Sequence, residues 1–139
     1  MHVRHLPVPM LLGIAVLLNS PAFAHDSAAG RESITPLQAQ PLPDASGKQG
    51  LMAMVSFAPG QASAPHVHSG SIFAYVLEGE VVSQLAGQPA ITYKQGESWY
   101  EAPRTPHLVA RNASGTKSAR LLVWALVDQG SPIREPLSK

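Results

Sequence analysis

The sequence predicts an all-β fold, a single antiparallel barrel or sandwich carried on residues 50–128. Three observations predict it. Short apolar or alternating runs follow one another from Leu51 onward, each closed by a Gly, Pro or Asn turn signal. No segment past residue 50 keeps a helical period with caps at its ends. No internal repeat is present, so the chain of 139 residues has room for one such unit.

Taken in order, residues 1–24 read as a secretory signal peptide. Arg4 and the amino terminus supply the positive start, Met10 to Leu18 the apolar run, and Ala22-Phe23-Ala24 the small-x-small cleavage site. The apolar run is too short for a membrane anchor, which needs roughly 20 residues. The expected protein is exported, periplasmic or secreted, and begins at His25. A terminal histidine can chelate copper through its amine and ring, although loose termini usually carry no such role. Residues 25–49, rich in Ala, Pro, Gln, Ser and Gly, read as an N-terminal arm, with Ile34 to Leu37 as a short edge strand. The expected barrel strands are Leu51 to Ala58, Ile72 to Leu77, Val81 to Leu85, Ile91 to Tyr93, Trp99 to Ala102, His107 to Arg111 and Ala119 to Val127. Residues 129–139 carry two prolines and no pattern, and read as a tail.

Composition excludes several classes. Without Arg4 the nine basic residues match nine acids, so no long-range field favours nucleic acid or an acidic membrane. The chain has no cysteine, which removes disulfides, thiolate zinc sites and thiol catalysis. Ser63 and Ser71 have no His–acid partners at a recognisable spacing, and no phosphate-binding glycine loop is present.

The histidines carry the chemistry. His66 and His68 are one residue apart, so in a strand both rings leave the same face, about 7 Å apart along it. Two imidazoles so placed can converge on one ion, and His107, opening a later strand, can close the site if that strand is a neighbour. Glycines recur around them. Gly60 stands six residues before His66, Gly79 eleven after His68, and Gly96 eleven before His107.

These residues resemble the cupin family. Its first motif is a glycine, five residues, H-x-H, three or four residues, a glutamate, six residues and a glycine, which Gly60, His66, His68 and Gly79 fit. Gly96 and His107 fit the second motif. There Ala102 holds the proline position, Arg104 the glycine position, and Asn112 lies one residue later than the pattern asks. The resemblance covers roughly residues 50–128. It implies a jelly-roll β-barrel with one metal in its mouth, and frequent homodimers.

Ile72 stands where the family has its glutamate, and isoleucine cannot ligate. Three imidazoles alone leave a divalent ion near +2, which favours an anionic ligand and lowers the pKa of bound water. Three readings follow. The three-histidine site is complete, or a carboxylate from another strand stands in, with Glu101 the best candidate, or the metal is lost and a binding module remains. Imidazole ligation does not choose among Fe, Mn, Zn, Cu and Ni.

The leading expectation is an exported metal-binding cupin that acts on a small anionic or aromatic molecule, dioxygenase-like by family analogy, with Glu101 as a general base. The alternatives are a non-catalytic small-molecule or metal-binding module, and a metal-dependent isomerase or sugar-modifying cupin. Arg104 is a candidate anion clamp in the turn before His107. Met52 and Met54 share one face and are candidate soft ligands or, more ordinarily, core fillers. Tyr75, Trp99, Tyr100 and Trp124 read as barrel core or pocket lining. Asn112-Ala113-Ser114 matches a glycan acceptor.

Overall fold

The computed structural model describes residues 32–137; the leader and the His25 terminus lie outside them. Every element in the described residues is a strand. They are β1 (Ser33–Pro41), β2 (Lys48–Phe57), β3 (His66–Val67), β4 (Ser71–Glu78), β5 (Glu80–Leu85), β6 (Ile91–Lys94), β7 (Ser98–Glu101), β8 (His107–Asn112), β9 (Ala119–Asp128) and β10 (Glu135–Pro136). Two five-stranded antiparallel sheets result, ordered β1-β2-β9-β4-β7 and β10-β3-β8-β5-β6. This is the all-β jelly roll that the sequence predicts.

The period-two pattern explains the core. In β4 and β9 every second residue is buried, so Ile72, Ala74 and Val76 meet Leu121, Val123, Ala125 and Val127 inside. Phe57 and Val81 are almost completely buried beside them. Of the four large aromatics singled out in the sequence, only Trp99 is buried, stacked on Tyr93 with ring centroids 4.7 Å apart. Tyr75, Tyr100 and Trp124 lie on the outer face of the first sheet with Phe73, whose ring packs on Tyr100 and Trp124. Met52 and Met54 sit opposite Trp124 and Leu122 on β9, remote from the histidines.

Two segments are more ordered than the sequence suggests. The edge strand expected at Ile34 to Leu37 runs the whole length of β1 and pairs with β2. The segment after residue 129, patternless in sequence, returns across the barrel mouth, where β10 pairs with β3, Glu135 opposite Val67 and Pro136 opposite His66. Two-residue strands leave no periodicity to read.

Close backbone packing explains Gly70, which joins β3 to β4. A Cβ there would lie 1.8 Å from the Leu126 carbonyl oxygen. Asn112 is a second fixed point. Its buried Nδ2 donates to the Ala58 and Lys117 carbonyls at 3.1 and 2.7 Å, and its Oδ1 accepts from Ser114 N at 2.9 Å. An amide so engaged is no glycan acceptor. Each buried group left unpaired costs about 1–3 kcal/mol. Asn112→Ala is therefore expected to destabilise the chain by about 3 kcal/mol, read as a lower urea midpoint at unchanged slope.

Candidate metal centre

His66 and His107 are direct partners across β3 and β8. The strand pairing that the third histidine requires is therefore present. His107 reaches the interior through an irregularity. Val109 pairs with Gln84 and His107 with Leu85, so Leu108 is an extra residue in β8. A bulge of one residue reverses the side-chain alternation beyond it. Without it His107 would face outward, because Ala110 and Asn112, three and five residues on, face inward. With it His107, Ala110 and Asn112 are all buried, and Leu108 is exposed. The same insertion accounts for the late position of Asn112 relative to the motif.

The three histidines are each at most 7% exposed. One nitrogen from each lies within 4.8 Å of the others. The His66 ring is 4.8 Å from that of His68 and 5.0 Å from that of His107. Outer partners set their tautomers. His66 Nδ1 donates to the Ala64 carbonyl at 2.8 Å, and His68 Nδ1 donates to the Ile133 carbonyl on the C-terminal segment. Both Nε2 atoms are thereby left as lone-pair donors, the arrangement typical of metal-ligating histidines. Burial, reinforced by the neighbouring His68 and His107, holds the His66 ring below its ordinary pKa against the pull of the Ala64 bond. Ser83 Oγ on β5 bonds His107 Nε2 at 2.8 Å, which leaves Nδ1 on the inner side.

Glu101 joins this group. It pairs directly with Ile72 across β4 and β7. The strand neighbour directly opposite position 72 thus carries a carboxylate on the same buried face. Trp99 Nε1 donates to Oε1 at 2.9 Å. Oε2 lies 3.2 Å from His107 Nδ1 and 3.5 Å from His68 Nε2. Burial pushes the Glu101 carboxyl up, but His107, His68 and the Trp99 donor together outweigh it and hold its pKa below the ordinary value. Oε2 and His107 Nδ1 are both buried, and beyond their close contact with each other and that of Oε2 with His68 Nε2 they have no partner among the described residues. Two buried inward atoms paired only within the cluster, beside the Nε2 atoms of His66 and His68, fit a divalent cation: three imidazoles and one carboxylate are a common donor set for Zn, Fe, Mn, Ni or Cu.

The site opens on a cavity of about 50 Å³. Its walls are mainly apolar, with Val55, Phe57, Ile72, Leu121 and Ile133 among them. Arg104 takes no part. Its side chain is exposed and pairs with Glu135 at 3.0 Å. Its backbone has φ 62°, the left-handed conformation of the glycine it replaces, and its N–H holds the His68 carbonyl at 2.9 Å. Sequence reasoning missed Ser83, Ile133 and Trp99 as supports. Ser83 and Ile133 act on partners far away in sequence, and Ile133 does so through its backbone. Trp99 reads as core, and its indole N–H finds Glu101 only once β7 is formed.

Comparison with known proteins agrees with this fold. The Cupin domain family matches residues 53–125. No curated protein sequence matches the chain. Among solved structures, the DMSP lyase DddQ from Ruegeria pomeroyi DSS-3 is similar at TM-score 0.63 and 20% identity, over 76% of this chain and 51% of the lyase. The chain therefore spans about half of that protein's length. TT1209 from Thermus thermophilus is similar at TM-score 0.55 and 31% identity, over 68% of this chain and 82% of the other. An oxalate oxidase in complex with glycolate is similar at TM-score 0.62 and 22% identity, over 79% and 57% of the two chains.

A ligand that binds only the folded state stabilises it by about 2.7 kcal/mol at a hundredfold its Kd. Zn(II) or Co(II) is therefore expected to raise the melting temperature of the wild-type chain by roughly 10 °C or more. The rise should vanish in His68→Ala and His107→Ala, with metal content by mass spectrometry falling from one per chain to a trace.

Proposed function

The chain belongs to the Cupin domain family, and from that premise we propose that it is an exported cupin with a metal bound by His66, His68, His107 and Glu101. Its ligand in this reading is a small anionic molecule, and its chemistry a dioxygenase-like oxidation. The observation that carries the proposal is the convergence of Glu101 Oε2, a buried carboxylate oxygen, on His68 Nε2 at 3.5 Å and His107 Nδ1 at 3.2 Å, within the cluster of three buried histidines.

A divalent ion in that position would act as a Lewis acid, gathering an anion and polarising it. The protein's own groups do the rest. His66 and His68 present fixed lone pairs because their Nδ1–H groups are tied to backbone carbonyls. Trp99 fixes the Glu101 carboxylate through Oε1, so that Oε2 remains for ligation. Of the two roles the sequence offers Glu101, stand-in ligand and general base, this reading takes the first and makes it the fourth donor. Its negative charge lowers the centre from about +2 to about +1, which still favours an anion. The apolar walls exclude bulk water and strengthen the attraction.

Size narrows the ligand class. A cavity of about 50 Å³ holds a few waters at ~10–15 Å³ each, far below the ~300 Å³ of a drug-sized pocket. That favours a small acid over an aromatic substrate. The isomerase or sugar-modifying reading finds little support in walls this apolar.

Oxygen uptake by the Fe(II)- and Mn(II)-loaded chain, tested against small carboxylic acids, diketones, thiol acids and a flavonol, examines the reading. Uptake with a small acid and none with the flavonol is expected. If an acid binds without uptake, the chain is a capture module. Glu101→Gln should weaken metal binding by roughly ten- to a hundredfold; unchanged affinity would return Glu101 to a proton-transfer role. Export is checked separately. Mass spectrometry of the protein recovered outside the cytoplasm of an expressing bacterium should show an amino terminus at His25.

A further inference from the structure

The described chain begins and ends at the mouth of the same cavity. Glu32 precedes β1, and Arg134 lies on the returning C-terminal segment. Both line the cavity that His66, His68, Glu101 and His107 also line, and both line the shallow groove outside it with Ala64, Pro65 and Pro136. Arg134 Nη1 pairs with Glu32 Oε1. The Glu32 side chain is 1% exposed. Its other oxygen, Oε2, is buried with no hydrogen-bond partner among the described residues. A buried carboxylate with one oxygen unpaired is a costly arrangement, and its location is the entrance to a cationic centre.

We propose that Arg134 is the carboxylate-recognition residue of this cavity, and that Glu32 occupies its place as a built-in stand-in until a ligand carboxylate displaces it. The inference rests on the metal-centre reading above and names its ligand class, a small aliphatic carboxylate. Three features argue for that class. The group now seated against Arg134 is itself a carboxylate on an aliphatic stem. A guanidinium matches a planar carboxylate through two parallel N–H donors. The neighbouring cavity residues Ile34, Val55 and Ile133 offer an aliphatic tail apolar contact and no hydrogen bonds from their side chains. Displacement is balanced in charge, since one carboxylate leaves the guanidinium as another arrives. Specificity then has two parts: the metal side selects a negative charge, and Arg134 selects its planar shape.

Isothermal titration of the full chain loaded with Zn(II) tests this, with acetate as probe and acetamide as its neutral counterpart of the same shape. Glu32→Gln removes the competitor and is expected to tighten acetate by about tenfold. Arg134→Gln should weaken it by at least tenfold, and adding Glu32→Gln to that variant should recover nothing. Arg134→Lys, which keeps the charge and loses the fork, should fall between. Acetamide should respond to none of these changes. Circular dichroism confirms folding for each variant, and metal content by mass spectrometry should stay at one per chain throughout. Acetate affinity unmoved by Arg134→Gln, or loosened by Glu32→Gln, overturns the proposal, as does loss of metal from Glu32→Gln, which would make Glu32 a ligand. If no variant holds metal, the metal-centre reading fails by itself. Discrimination of acetate from acetamide in the metal-free chain, and its loss in Arg134→Gln, then still decides the role of Arg134.

Discussion

Every part of the site depends on the pairing of His66 with His107 across β3 and β8. It is the only cross-strand pair joining those two strands, and β3 is just two residues long. So short a strand has little stability of its own. It is held from both sides, by β8 on one and by β10 on the other. The turn ahead of β8 adds the Arg104 N–H to the His68 carbonyl, and the C-terminal segment adds the Ile133 carbonyl to the His68 ring. The histidine strand is therefore set by contacts from residues some 35 to 70 positions away.

This distribution explains how much was legible in sequence. The jelly roll was readable because β4 and β9 alternate cleanly and the turns carry glycine. The three histidines were readable because a two-residue spacing fixes a common face. Glu101 was visible only as a carboxylate on a strand near the second motif. Its importance lies in its register with Ile72, and register between β4 and β7 is a non-local fact that no periodicity encodes. The C-terminal segment was illegible for another reason. It acts through the Ile133 carbonyl, the backbone of Glu135 and Pro136, and the Arg134 and Glu135 charges, and a backbone carbonyl has no residue type to recognise.

Departures from the motif turn out to be compensated pairwise. Isoleucine at position 72 is matched by a glutamate directly opposite it, so the inward face still carries one carboxylate. The late asparagine is matched by the Leu108 bulge, so His107 and Asn112 still share a face. Arginine at the glycine position keeps the left-handed backbone, at a cost of order 1–3 kcal/mol. Its exposed pair with Glu135 contributes no more than about 1 kcal/mol. The surplus strain lies in the turn that holds the His68 carbonyl, which is where a rigid ligand geometry is most needed.

Charge placement ties these features to function. Inside the barrel the charged side chains among the described residues are Glu101 beside the histidines and Glu32 beside Arg134. A carboxylate buried without a cation is too costly to retain unless something offsets it. For Glu101 the offset is close at hand, in imidazoles whose Nε2 and Nδ1 atoms point at the same place. For Glu32 it is Arg134, and only one of its two oxygens is satisfied. On the reading proposed above, Glu101 marks where a cation would bind and Glu32 where an anion would enter the same small cavity.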